Sequence, residues 1–253
     1  PMSDRSWANN RIHSQWAWGN GACLPTREYV TNFYDRTLDA INRYQPDLIY
    51  FDVTVVPFNG ISDCGLKIAS HFYNKNPRAV MFGKILDEEQ RKALTWDVER
   101  GAPNEIVDIP WQTCNCIGGW HYNTGIYERN GYKSAATVVK QLVDIVSKNG
   151  NLLLSIPLRA DGTYDEKEAA VLDGIEAWMS VNKESIIGTR PWVRFGEGPV
   201  AEKDIKLNAQ GFNDGQYSNM TAADIRFNQS RKYLYVTPLG WPDGGKVTVK
   251  SLR

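Results

Sequence analysis

The chain has 253 residues, long enough to bury a core and to form one large domain or two smaller ones. It contains 29 Lys and Arg against 29 Asp and Glu, so it lacks the cationic excess with which proteins neutralise a phosphate backbone. No apolar run approaches the roughly 20 residues that span a bilayer. We therefore expect a soluble protein that binds neither nucleic acid nor a membrane.

Cysteine content argues against a metal site, whereas aromatic content leaves sugar binding open. Cys114 and Cys116 form a C-x-C pair, but the second pair that a structural zinc site needs does not accompany it. We expect neither a metal nor an organic cofactor. Nine Trp and twelve Tyr offer flat faces that suit sugar rings, although ordinary packing explains them equally well.

Helices and buried strands alternate over the first hundred residues. Apolar residues at three- and four-residue spacing predict an amphipathic helix over 28–44, which ends before Pro46. The continuous apolar run 47–52 then predicts a parallel strand covered on both faces. The same rhythm predicts helices over 62–74 and 88–93 and strands over 79–83 and 95–98.

The second half of the chain begins with a long segment in which the apolar residues follow neither a helical nor a strand spacing. Residues 102–132 are rich in Pro, Gly, Trp and Asn, which predicts a functional loop. A helix over 135–148 then ends at Asn149, a strand follows over 151–156, and Asp165 with Glu168 starts a helix to about 181 as a capping box. Past Arg190, an antiparallel module is predicted from short strands over 205–207, 224–227, 233–236 and 246–249.

Four strands and five helices before residue 190 predict an α/β fold. No Gly-rich phosphate loop follows any strand, which favours a (β/α) barrel of TIM type over an open nucleotide-binding sheet. A full barrel needs about 250 residues, so only its later strands fit in this chain. We predict a barrel part over 1–195 and a partial antiparallel β-sandwich over 196–253. Open sheet edges favour an oligomer or a missing N-terminal half.

Two carboxyl groups lie at predicted strand ends, where the reactive groups of a barrel converge. Asp52 ends one strand and shares a face with Tyr50, and Glu99 ends another. Two such groups on one cleft are what glycoside hydrolysis requires, one to attack the anomeric carbon and one to protonate the leaving oxygen. The alternatives are that Asp52 caps a helix or pairs with a lysine, that Glu99 forms an ordinary salt bridge, and that Asp97 or Glu105 replaces Glu99.

Aromatic residues are available for a pocket that would raise the pKa of the acid by burial. They are Trp96, Trp111, Trp120 and Tyr122. His121 is a candidate for proton transfer, for a hydrogen bond to a sugar, or for packing with one ring nitrogen bonded, and packing is the favoured interpretation.

Successive motifs resemble those of the retaining α-L-fucosidases, glycoside hydrolase family 29, and occur in the family's order. They are P-D-L-I-Y-F-D at 46–52, W-D-V-E-R-G-A-P at 96–103, W-Q-T at 111–113 with G-W-H-Y at 119–122, and I-V-S-K-N-G-N-L-L-L at 145–154. The resemblance covers roughly residues 29–199. Segments at 224–227 and 239–242 resemble the start of the family's C-terminal β-sandwich.

The resemblance implies a retaining exo-glycosidase that hydrolyses α-L-fucosides through a covalent fucosyl-enzyme. Asp52 would be the nucleophile and Glu99 the acid/base, with carboxyl groups about 5–5.5 Å apart. Lys84 stands where many members have an Arg beside the sugar, and Trp120 would pack near the C6 methyl group of fucose. The implied substrate-binding residues are Tyr50, Lys84, Trp120 and His121.

The chain departs from the family in its histidines. The family has an adjacent sugar-binding pair, whereas His13, His71 and His121 are not adjacent. We expect an internal part of a longer protein, or a shortened relative, with a fucosylated glycan or glycoside as substrate. The alternative is a non-catalytic carbohydrate-binding or inactive fragment. Glycosylation triplets at Asn219 and Asn228 fit secretion, so we expect a secreted, periplasmic or lysosomal location.

Overall fold

The computed structural model of the chain describes residues 25–52, 56–58, 62–203, 205–207 and 211–252. It divides into two units, one ending at Asp97 and the other beginning at Val98. Five parallel strands form a half-barrel sheet in sequential order, and three antiparallel strands form a second sheet. This arrangement confirms the predicted fold class. The predicted domain limits, 1–195 and 196–253, stay a prediction.

The first unit contains the predicted alternation of helices and strands. Its elements are α1 (Arg27–Tyr44), β1 (Leu48–Tyr50), α2 (Cys64–Lys75), β2 (Val80–Gly83), α3 (Glu88–Arg91) and the start of β3 (Thr95–Glu99). The Oγ1 atom of Thr26 caps α1 by accepting from the Tyr29 amide, and Gln45 ends the helix in the left-handed region at φ 46°. Strand β2 pairs in parallel with both neighbours, with Tyr50 opposite Phe82 and Phe82 opposite Thr95.

The core of the first unit lies between its helices and its strands. Ile68, Phe72 and Met81 are almost fully buried there. Trp96 packs against this cluster, and the guanidinium of Arg91 lies 3.8 Å from the centre of its ring. Trp96 therefore belongs to the core rather than to a pocket.

The second unit contains the remaining parallel strands. Its elements up to residue 182 are the end of β3, β4 (Trp111–Cys116), α4 (Thr124–Glu128), α5 (Ala135–Ser147), β5 (Gly150–Ser155) and α6 (Glu166–Asn182). Asn149 adopts φ 70°, and Asp165 and Glu168 form a reciprocal capping box, so both predicted helix signals are confirmed.

Strand β4 lies inside the segment that the sequence predicts to be a loop, so that expectation is wrong. The strand pairs with β5 over six residues. Its polar residues Gln112, Thr113 and Asn115 are buried, and the Thr113 hydroxyl donates to the Val98 carbonyl at 2.8 Å. Because every residue of the strand is buried whatever its polarity, no hydrophobic alternation marks it.

The antiparallel sheet differs from the prediction at both of its ends. It consists of β6 (Arg190–Glu197), β7 (Ile225–Gln229) and β8 (Leu234–Pro238). Residues 205–207 and 246–249 are not strands, and the latter are mostly exposed, so they gain little from packing. Strand β6 was missed because it contains Pro191 and Gly196, between which its register against β7 shifts.

Two further observations concern the predicted glycosylation triplets and the expectation that the chain does not span a membrane. Asn228 is buried in β7 and its side-chain amide donates to the Ser185 carbonyl, so its triplet does not present a glycosylation acceptor, whereas Asn219 is exposed. No helix within the described ranges is both long and apolar enough to cross a membrane.

A buried carboxylate joins α5 to the antiparallel sheet. Asp144 forms ion pairs with Lys148 at 2.9 Å and Arg226 at 2.5 Å, and the Tyr217 hydroxyl donates to it at 3.2 Å. Burial alone would raise the pKa of Asp144, but the two cations outweigh it and lower that pKa. Burial and the neighbouring carboxylate hold the pKa of Tyr217 well above its ordinary value. These side chains therefore form one charged network.

Replacing Asp144 with alanine would leave two buried cations without their carboxylate. We expect Asp144→Ala to lower the free energy of unfolding by about 3–5 kcal/mol at pH 7, measured by urea denaturation. The control is Asp39→Ala, which breaks the exposed ion pair with Arg43 and should cost at most about 1 kcal/mol. Equal losses in the two variants would contradict the assigned role of the network.

The effect also has a defined pH dependence. Because the folded-state pKa of Asp144 is lowered, its contribution is complete above the unfolded value of about 3.9 and is lost as the pH falls through the folded value. The stability difference between the wild type and Asp144→Ala should therefore shrink below that range.

Candidate active site

A carboxylate and an amine meet beyond the ends of β1 and β2 in the first unit. The Nζ atom of Lys84 lies 2.6 Å from Oδ1 of Asp52. The Lys84 side chain is only 7% exposed, whereas that of Asp52 is 73% exposed. The buried cation therefore holds one carboxylate oxygen, and the acid is presented to solvent.

The register of the parallel strands accounts for this pairing. Tyr50 lies opposite Phe82, and continuing the same register by two residues brings Asp52 opposite Lys84. The alternative that Asp52 pairs with a lysine is what the structure contains. That lysine is Lys84, which the sequence also predicts to bind substrate. The ion pair therefore joins the predicted nucleophile to a predicted substrate-binding residue.

A second carboxylate of the first unit is committed to an internal hydrogen bond. Asp97 is fully buried, and the Tyr50 hydroxyl donates to its Oδ2 atom at 2.8 Å. Tyr50 also contacts Phe82, with 6.1 Å between ring centres. Asp97 is thus shielded from solvent, whereas its competitors Glu99 and Glu105 are partly or fully exposed in the second unit.

Glu99 is the last residue of β3, and its backbone is fixed within the second unit. Its carbonyl accepts from the Phe212 amide at 2.7 Å. Arg100 follows in the left-handed region at φ 51°, and its amide donates to the Cys114 carbonyl at 2.8 Å. The Arg100 guanidinium pairs with Asp214 at 3.4 Å. The strand end that carries Glu99 is therefore tied to a segment more than a hundred residues away.

Asp214 is the centre of a polar cluster that sequence reasoning missed. Lys133 pairs with it at 3.0 Å and also donates to Asn115 at 2.7 Å, and the Asn115 amide donates to Asp214 at 3.4 Å. The Asp214 side chain is only 9% exposed. Arg100 and Asn115 are 114 and 99 residues away from Asp214, so no local pattern marks the cluster.

The predicted aromatic residues divide between core and surface. Trp111 is fully buried, with its indole N–H donating to the Lys148 carbonyl at 2.9 Å, so like Trp96 it does not line a pocket. Trp120 is 40% exposed on the turn between β4 and α4. His121 beside it is exposed, so the favoured interpretation that it is packed is wrong.

Tyr122 completes the aromatic turn. It is half-buried, and the Arg159 guanidinium lies 5.7 Å from the centre of its ring. Across the described part of the chain, no group of three or more His, Cys, Asp or Glu is arranged to hold a metal ion.

Comparisons with known proteins agree on one family. A family model described as "Alpha-L-fucosidase" matches residues 2–184. An α-L-fucosidase of Dictyostelium discoideum is 34% identical over 195 residues, covering 71% of this chain and 42% of the relative. The tissue α-L-fucosidase of Rattus norvegicus is 22% identical over 244 residues, covering 90% of this chain and 46% of the relative.

A solved structure extends the likeness to the fold. The α-fucosidase of Thermotoga maritima in complex with fucose is 26% identical, with a TM-score of 0.61, and the match covers 86% of this chain and 44% of that one. The chain thus spans less than half the length of these relatives. The family model covers most of the chain, including every site residue that the sequence predicts, and so the chain belongs to the α-L-fucosidase family.

Proposed function

We propose that this chain carries the catalytic carboxyl groups of a retaining α-L-fucosidase, with Asp52 as nucleophile and Glu99 as acid/base. The substrate is a fucosylated glycan or glycoside, which fits the fucose bound to the Thermotoga maritima relative. The observation that carries the proposal is the Asp52 carboxylate, exposed beyond a parallel strand and held through one oxygen by buried Lys84.

The first chemical step uses the free oxygen of that carboxylate. Oδ1 is engaged by Lys84, which leaves Oδ2 to form a bond with the anomeric carbon as the bond to the leaving oxygen breaks. Glu99 donates a proton to the leaving oxygen, because an alkoxide is a poor leaving group without one. The products are the aglycone and a fucosyl-enzyme with inverted configuration.

The second step reverses these roles. Glu99, now ionised, takes a proton from water as the water oxygen attacks the anomeric carbon, and the bond to Asp52 breaks. Two inversions release fucose with its original configuration. The two carboxyl groups should therefore lie about 5–5.5 Å apart, without room for the water that an inverting enzyme places between them.

Substrate binding is assigned to residues around these carboxyl groups. Lys84, whose ammonium holds Asp52, is the cation assigned to the sugar-binding residues. The exposed Trp120 offers an apolar face for the C6 methyl group, and exposed His121 offers a ring nitrogen to a hydroxyl. Tyr50, on β1, borders the same subsite. A secreted, periplasmic or lysosomal location is part of the proposal.

Removing the nucleophile tests the assignment of Asp52. We expect Asp52→Ala to lower kcat on an aryl α-L-fucoside at least about 10³-fold, because no covalent intermediate can form. Azide should restore turnover by direct attack and give β-L-fucosyl azide, which NMR identifies. The matched control is Asp47→Ala, at the opposite end of the same strand, whose carboxylate accepts from the Asn76 amide.

If wild type and Asp52→Ala are both inactive, the chain is the non-catalytic fragment of the alternative. If Asp52→Ala keeps its activity, the nucleophile is another residue. Either result rejects the proposal as stated.

Removing the acid/base should give the opposite stereochemical product. In Glu99→Ala the fucosyl-enzyme still forms from an activated substrate, and azide then attacks it, so we expect α-L-fucosyl azide. Activity on poorly activated substrates should fall about 10²–10⁴-fold. The control Glu105→Ala changes an exposed carboxylate nearby in sequence and should leave both properties unchanged. Formation of the β-azide by Glu99→Ala would contradict its role.

The ion pair that holds Asp52 can be tested separately. Lys84→Met keeps an unbranched side chain in the buried site but removes the ammonium that fixes Oδ1, so we expect kcat to fall about 10²-fold as the nucleophile loses its orientation. Lys84→Arg should retain more activity. The control Lys92→Met breaks an exposed pair with Glu89 and should have no effect on kcat. Unchanged kcat in Lys84→Met would exclude the orienting role.

A further inference from the structure

The segment Gly211–Asp214, here called the clamp, contacts the backbone at the end of β3 and just beyond it within the second unit. Gly211 forms a parallel bridge with Glu99, and the Phe212 amide donates to the Glu99 carbonyl. The Asp214 amide donates to the Arg100 carbonyl at 3.0 Å. The clamp therefore holds two consecutive residues at the end of the strand that carries Glu99.

Asn213 binds this backbone through its side-chain amide. Its Oδ1 accepts from the Ala102 amide at 3.0 Å, and its Nδ2 donates to the Ala102 carbonyl at 2.9 Å. A Cβ atom on Gly101 would lie 2.4 Å from the same Oδ1, so only glycine leaves room for this approach. One amide side chain thus bonds both backbone polar groups of Ala102.

Gly211 is required at the other end of the clamp for the same reason. It adopts φ 144°, and a Cβ atom there would lie 2.0 Å from the Glu99 carbonyl oxygen. The backbone of the clamp therefore approaches Glu99 more closely than a side chain would allow. Two glycines, one on each side, permit this contact.

The segment that the clamp holds contains a residue in an unfavourable backbone conformation. Arg100 occupies the left-handed region, which costs a residue with a Cβ atom roughly 1 kcal/mol and persists only where the surroundings enforce it. The hydrogen bonds at Glu99, Arg100 and Ala102 enforce it here. The direction in which the Glu99 side chain leaves the strand depends on this backbone.

We propose that the clamp positions Glu99 for proton transfer to the leaving oxygen, and that Asn213 is its principal positioning residue. The proposal rests on the proposed function, because it assumes that Glu99 is the general acid. Asn213 acts through the backbone of residues 99–102. Loss of the Asn213 side chain should slow cleavage of substrates whose leaving group needs a proton from Glu99. It should have little effect on substrates whose leaving group departs without a proton.

Leaving groups of different acidity separate bond cleavage that needs a proton from bond cleavage that does not. A 2,4-dinitrophenyl leaving group departs without a proton, whereas a phenyl group needs one. We expect Asn213→Ala to lower kcat/KM for phenyl α-L-fucoside at least about tenfold more than for the dinitrophenyl compound. Asn213→Asp keeps the acceptor for the Ala102 amide but replaces the donor with a carboxylate oxygen that faces the Ala102 carbonyl, so a selective loss is expected in this variant too.

The control and reference variants make each result decisive. Asn228→Ala removes another asparagine whose amide donates to a backbone carbonyl, but in β7, and should change both substrates equally. Glu99→Ala shows the largest selective loss if Glu99 is the acid. An inactive wild type, or no selective loss in Glu99→Ala, overturns the proposed function. A selective loss in Glu99→Ala without one in Asn213→Ala overturns the clamp alone.

Discussion

The buried Asp144 carboxylate is the interaction on which the second unit depends. It lies on α5, which packs beside the parallel strands, and it neutralises Arg226 on β7 of the antiparallel sheet. Burying a guanidinium without a partner costs several kcal/mol, so α5 and β7 must keep their relative position for the unit to fold. Tyr217 belongs to the same network. It lies in the short helix Asp214–Asn219, which begins at the last residue of the clamp.

That linkage explains how a distant segment can serve the end of β3. Tyr217 is bonded to Asp144, and Asp214 is paired with Lys133 and Arg100, so the short helix is held at two of its residues. The clamp is therefore joined to the charged network through the short helix, and a general acid needs a fixed position if its proton is to meet the leaving oxygen in one geometry. The contacts assigned to stability and those assigned to the proposed catalysis thus meet in the short helix Asp214–Asn219.

In the first unit, the parallel strands alone place two carboxylates, Asp52 and Asp97. Strands β1 and β2, paired in register, bring Asp52 beside Lys84. Strand β3 brings Asp97 within hydrogen-bond distance of the Tyr50 hydroxyl. One carboxylate is exposed and the other is enclosed, although both lie near strand ends. Lys84 contacts one oxygen of Asp52, whose side chain stays 73% exposed, whereas Asp97 is fully buried and accepts from the Tyr50 hydroxyl. Two identical functional groups thus have different accessibilities.

Local patterns in the sequence determined the alternation of helices and strands, the capping box at Asp165 and Glu168, and the placement of Asp52 and Glu99 at strand ends. Each depends on residues within a few positions of one another. The tertiary structure alone decided the partner of Asp52, the buried polar strand β4, and the contacts of Asn213 and Asp214. Those depend on strand register and on residues about a hundred positions apart, which no local pattern encodes.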